Sequence, residues 1–209
     1  MTEYTIDFFG TDILTTVTSS SSDVTEWIEM IRYIHRFRLH KLVVGLGVQW
    51  RPTFSKGDRP PPATLQLCVG CRCLIFQLIH AYSIPQELRD FFQEFQFTFV
   101  GVGIRHDMFL LSTHGLRASN FRELRYLAAD RLGIRDLHHA SMERLASEVL
   151  DIDGVEKPVE IGKSDWDNST LSKKQVRYAC IDAYVSFKIG RELEAWDDDD
   201  DDEDDDDYE

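Results

Sequence analysis

No stretch of the 209 residues approaches the run of about 18–20 apolar residues that a membrane-spanning helix needs. A basic start followed by an apolar core is also absent from Met1-Thr-Glu-Tyr-Thr-Ile-Asp-Phe-Phe9, so no secretory signal is expected. The chain has only four cysteines, which in that context read as reduced thiols of the cytoplasm or nucleus rather than a disulfide framework. Cys68, Cys71 and Cys73 are closely spaced, but no second Cys or His pair follows at zinc-site spacing. A strand-turn-strand hairpin accounts for them better than a zinc site.

Bases are missing altogether from residues 197–209, which hold ten Asp and two Glu. Those twelve acids explain most of the net charge of −14. Without them, 25 acids face 23 bases, so residues 1–196 form a nearly neutral body and the acidity is a tail. A run so charged and so poor in apolar groups is expected to be disordered and to compete with phosphate for basic side chains. The remaining 196 residues are long enough for one domain with a sizeable core.

Hydrophobic periodicity outlines that domain. Tyr4 to Phe9 and Ile13 to Val17 flank Gly10-Thr11 as an N-terminal hairpin. Asp23 with Glu26 reads as a capping box opening a helix through Trp27, Ile28 and Ile31. Leu42 to Trp50 is an apolar strand; Thr64 to Val69 and Cys73 to Leu78 pair about Gly70-Cys71-Arg72. Phe97 to Gly101 is a further strand, running into a helix from Ile104. Gly154 to Ser169 reads as irregular loop, and Ser172 caps a long last helix.

Three places carry the chemistry. Gly47 and Gln49 lie on one face of a strand, because strand side chains alternate. Val100-Gly-Val-Gly-Ile-Arg-His-Asp107 places an acid in the first turn of a helix, and Tyr178-Ala-Cys-Ile-Asp182 puts a phenol and a carboxylate one turn apart on another. With Leu65-Gln-Leu-Cys-Val69, Leu74-Ile-Phe-Gln-Leu78, Ser164-Asp-Trp166 and Asp182-Ala-Tyr-Val-Ser-Phe187, these segments resemble the DEDDy branch of the DnaQ-like 3′–5′ exonucleases. The chain is similar to the exonuclease domain of the Werner-syndrome helicase and to the small plant RISC-interacting clearing exoribonucleases. The resemblance runs from about Lys41 to Trp196. It implies an α/β fold of the DnaQ-like, ribonuclease H-like kind, a mixed sheet flanked by helices, here with an N-terminal hairpin and helix. It also implies single-stranded RNA or DNA as partner, and assembly as a homo-oligomer such as a closed hexameric ring. The aromatic stretch from Phe91 to Phe97 fits an assembly surface.

In that family two Mg²⁺ or Mn²⁺ ions about 4 Å apart activate water and stabilise the leaving oxygen. The resemblance assigns the second-motif metal carboxylate to Asp107, the third-motif metal carboxylate to Asp182 and the water-orienting phenol to Tyr178. The first-motif Asp and Glu positions fall on Gly47 and Gln49. Glycine offers no ligand, and a neutral amide is a poor substitute for a carboxylate at a hard cation. A replacement acid would have to come from a residue such as Asp58, Glu160 or Asp165. Two readings follow: an active metal-dependent 3′–5′ exonuclease, or a member that keeps the groove and has lost the metals. The gap at 47 and 49 favours the second. Arg32, Arg36, Arg38, Lys41 and Arg51, and separately Arg117, Arg122, Arg125, Lys163, Lys173 and Lys174, are candidate phosphate contacts. Trp166 is a candidate for base stacking.

Overall fold

The computed structural model describes residues 1–52 and 60–196. The loop acid Asp58 and the acidic tail lie outside the described residues. A seven-stranded mixed sheet has the order β1-β2-β5-β4-β3-β6-β7. Strands β1 (Thr2–Phe8) and β2 (Thr11–Thr18) form the N-terminal hairpin, and Gly10 adopts the positive φ that its turn requires. Strand β2 then joins the main sheet parallel to β5 (Arg72–Phe76). At the centre, β3 (Leu42–Gln49) pairs antiparallel with β4 (Thr64–Val69) and parallel with β6 (Phe97–Gly101), and β7 (Phe121–Glu123) closes the edge. Every residue of β3 except Gln49 is buried, as expected of a strand covered on both faces.

Helices α1 (Ser21–Ile34), α2 (Gln86–Gln93), α3 (Ile104–Ser112), α4 (Leu124–Leu132), α5 (Met142–Leu150), the short α6 (Val159–Gly162) and the long α7 (Lys173–Glu192) flank the sheet. Helix α7 begins in a full capping box, Ser172 with Gln175, which satisfies two N-terminal donors at once. It lies directly on β3. A Cβ at Gly45 would run into the carbonyl oxygen of Ala183 and come within 2.6 Å of the Phe187 amide nitrogen, so glycine permits the close approach.

Two expectations need correcting. Helix α1 starts at Ser21, and the Asp23 carboxylate accepts a 2.6 Å bond from the Thr18 hydroxyl instead of capping the helix. Phe91, Phe92 and Phe97 are fully buried core residues packed in one ring cluster with Phe99; of the phenylalanines in that stretch only Phe95 is exposed, at 74%. That segment is therefore an internal packing cluster rather than an assembly surface.

The four thiols are free. Cys68 and Cys73 face each other across β4 and β5, Cys180 of α7 accepts from the Thr15 hydroxyl at 3.1 Å, and Cys71 is exposed at the turn. Burial pushes the Cys68 and Cys73 thiols up, and the hydrogen bond that the Cys180 thiol donates to Cys73, with burial, does the same to Cys180, so all three are inert at neutral pH.

Candidate active-site cleft

Strand β3, helix α3 and helix α7 converge on an open cleft of about 450 Å³, whose lining includes Gln49, Trp50, Asp107, Glu143, Lys157, Tyr178 and Asp182. The sheet register puts Gly47 opposite Gln66 and Gln49 opposite Thr64, and Gly47 abuts Asp182. All five positions singled out in the sequence thus meet at one place.

Each is positioned by local chemistry. Gly103 takes a left-handed conformation at the end of β6, and its N–H donates to both oxygens of Glu123, at 3.1 and 2.9 Å. That clamp starts α3 and presents Asp107 one turn in, buried. Tyr178 and Asp182 sit a turn apart on α7. The segment from Gly154 to Ser169 is irregular apart from α6, as expected, but it is held in place. Gln175 of α7 donates to the Ser164 hydroxyl and the Asp165 carbonyl, Trp166 is fully buried with its indole N–H on Gly162, and α6 packs below Tyr178. Pinned this way, the segment delivers Lys157 into the cleft.

Lys157 is the residue the sequence reading did not single out. Its ammonium donates to Asp182 Oδ1 and lies 5.2 Å from the centre of the Tyr178 ring. Burial by itself would lower the ammonium, but Asp182, then Tyr178, outweigh it and hold Lys157 above its ordinary value. The second oxygen of Asp182 accepts from the Gln49 amide at 3.4 Å. Burial also pushes the Tyr178 phenol up, with Asp182 adding to the shift against the opposing pull of Lys157. The buried Gln66 side chain donates to Thr64, while its Oε1, which a Cβ at Gly47 would meet at 3.0 Å, has no hydrogen-bond partner among the described residues.

These donors do not suit a pair of divalent ions. Position 47 supplies nothing, Gln49 turns an N–H toward Asp182, and a lysine ammonium occupies the oxygen that a metal would take. No group of three or more His, Cys, Asp or Glu that could hold a metal occurs among the described residues. Glu160 is exposed, lining a separate groove, and Asp165 is exposed, accepting from the Asp167 amide, so neither compensates; among the described residues Glu143 is a further acid of the cleft.

Burial, then the Asp182 charge and Glu123, push Asp107 well above the usual carboxylate range, against the partial relief from Lys157. A raised acid penalises folding as pH climbs past the unfolded value of about 3.9 toward the folded one. An Asp107→Asn chain should therefore be the more stable at pH 7, by about 1 kcal/mol or 2–4 °C. The advantage should vanish below about pH 4, where both forms are neutral. Thermal melts across that range check it.

Of the basic residues, Lys163 lines the cleft, whereas Arg125 is paired with Glu123 at 2.9 Å and Arg51 with Asp167 at 3.7 Å. Trp166, being fully buried, is a packing residue; Trp50 lines the cleft, 5.2 Å edge-on from His106.

Comparison with known proteins places the fold. A family profile described as 3′–5′ exonuclease matches residues 17–195. The chain belongs to the 3′–5′ exonuclease family. An Arabidopsis thaliana 3′–5′ exonuclease is 33% identical over 159 residues, 74% of this chain and 54% of the relative. The mouse bifunctional 3′–5′ exonuclease/ATP-dependent helicase WRN is 31% identical over 72% of this chain and 11% of its own length. The chain thus spans about half of the first exonuclease relative and a small part of the second. Among solved structures, Escherichia coli RNase D superposes with a TM-score of 0.67 at 16% identity, covering 87% of this chain and 45% of that one. The Aedes aegypti Nibbler EXO domain gives 0.66 at 16%, covering 87% and 88%. These two likenesses establish the DnaQ-like exonuclease fold. Among the described residues no helix is long and apolar enough to cross a membrane.

Proposed function

We propose that this chain is a non-catalytic exonuclease-family protein that holds single-stranded nucleic acid in the β3–α3–α7 cleft without hydrolysing it. The observation that carries the reading is the double occupation of Asp182, by the Lys157 ammonium on one oxygen and the Gln49 amide on the other. A carboxylate already neutralised by its own chain has little electrostatic reason to recruit a divalent ion. The same neutralisation removes the repulsion that a bare acid cluster would exert on a phosphate. Lys163 offers a charge for the backbone, and Trp50 a face for a base.

The reading separates cleanly from the active-enzyme one. Fluorescence anisotropy with a labelled single strand should show binding that is unchanged by EDTA, because no metal mediates it. Trp50→Ala with Lys163→Glu should weaken that binding by roughly tenfold or more, within the worth of one stacked base and one phosphate contact. Robust shortening of the strand from its 3′ end in Mg²⁺ or Mn²⁺, abolished by Asp182→Ala, would overturn the proposal, as would failure to bind at all.

A further inference from the structure

A second cavity, of about 490 Å³, lies at the opposite end of β3 from the cleft. Its base is apolar, made by Leu42, Val43, Val69 and Phe187, all buried. Its rim is cationic, with Arg38, His40, Lys41 and Arg191 exposed and His35 half-buried, and none of its ten lining residues is acidic. Arg38 and Arg191 stand close enough to His35 that, after burial, they lower its pKa; the cations repel one another across the cavity. Trp196 closes one side. The Lys41 ammonium lies 5.4 Å and the Arg191 guanidinium 5.5 Å from its ring centre, contacts that orient the two cations but leave both charges uncompensated. Among the described residues Arg38, Lys41 and Arg191 make no carboxylate pair.

The next residue after Trp196 begins the run of ten Asp and two Glu. A cationic cavity therefore opens beside the root of a polyanion on the same chain. Tethering at that point gives the acids an effective concentration of about the mM range at the cavity, with no reach to span. The cleft is less accessible: Asp182 lies about 15 Å back along α7 from the end of the helix, on the rise of about 1.5 Å per residue. Complementary charge, a body that is nearly neutral overall and immediate chain continuity all favour the nearer site.

We propose that the cavity lined by Arg38, Lys41, Arg191 and Trp196 is an anion-binding site whose occupant is this chain's own acidic tail, residues 197–209. The tail is held at the end of the sheet remote from the cleft. It shields the cations there from other polyanions and leaves the cleft open.

The test places a nitroxide on the tail as Glu209→Cys in a Cys71→Ser background, the remaining three thiols being buried and unreactive. At low salt the amide signals of Arg38, Lys41 and Arg191 should lose about half or more of their intensity, as a mM effective concentration demands. They should recover at high salt, as screening requires. Lys41→Glu with Arg191→Glu, both on the exposed surface, should abolish the effect and leave the rest of the spectrum in place. As a second measurement, inorganic polyphosphate should bind the chain lacking residues 197–209 about tenfold more tightly at low salt than the full chain. Broadening at cleft residues such as Gly103 and Lys163, or none localised anywhere, would overturn the assignment. So would equal polyphosphate affinities. An oligonucleotide occupying this cavity equally in both chains would put nucleic acid there instead of the tail.

Discussion

A Gly47→Asp, Gln49→Glu chain should bind Mn²⁺ and degrade single strands from the 3′ end, at a rate at least about 10²–10³ above the parent, in keeping with the size of single catalytic-group losses. The geometry permits the change. A Cβ at Gly47 would meet Asp182 Oδ2 at 2.8 Å and Gln66 Oε1 at 3.0 Å, both ends of flexible side chains, so the backbone need not move. With Asp107 and Asp182 already there, four carboxylates would then converge where two now stand, and the single ammonium of Lys157 could no longer balance them. The cheapest remaining relief is a divalent cation, which the new acids favour over lysine. Binding that favours the folded state also stabilises it. Mn²⁺ should therefore raise the melting temperature of the double variant while leaving the parent unmoved. A variant that melts normally yet neither responds to Mn²⁺ nor cuts would show that substitutions elsewhere have disabled the site.

Lys157→Met should cost about 2–4 kcal/mol, or roughly 5–10 °C of melting temperature, although it removes no core packing. The methionine keeps much of the stem and discards only the charge. What remains is the Asp182 carboxylate, only 12% exposed in its side chain, next to a second buried acid at Asp107. Breaking a buried pair from one side is expensive because the other charge stays behind. Adding Asp182→Asn to Lys157→Met should recover most of the loss, and a double-mutant cycle by urea unfolding measures the coupling directly. The sign with pH is fixed by the raised lysine. Its contribution is fully present at neutral pH, and disappears only as pH climbs through the folded value above the ordinary 10.5. A loss under about 0.5 kcal/mol at pH 7 would mean that the pair is no more than a surface contact.

The sequence reading reached the frame of the site because the relevant signals were local. Alternation along β3 places 47 and 49 on one face, a helix start places Asp107, and one helical turn joins Tyr178 to Asp182. Each of these needs only its own segment. A buried acid on α7 requires a partner, but no local pattern in the sequence identifies it. Lys157 lies in a stretch without periodicity, and its path into the cleft is set by Gln175 and Trp166, which are near it in space rather than in pattern. The same limit applies to Phe91, Phe92 and Phe97, whose burial depends on how α2 sits against α1 and β6, and to Asp23, whose carboxylate finds Thr18 before it finds a helix end. The cationic cavity was invisible for the strongest version of this reason. It is assembled from residues 35–43, 69 and 187–196, none of which marks a site alone.

Gly45 and Gly47, two glycines on one face of one strand, answer to different kinds of selection. At Gly45 any side chain would collide with the backbone of α7, so the position is bound to the architecture itself. At Gly47 only side-chain tips stand in the way, so the position is bound to whatever chemistry the cleft performs. Mutational drift can therefore erase the second constraint while the first still holds the molecule together. Across a lineage of such chains, position 45 should stay glycine in working and silent copies alike, and position 47 should carry an acid only in the copies that cut.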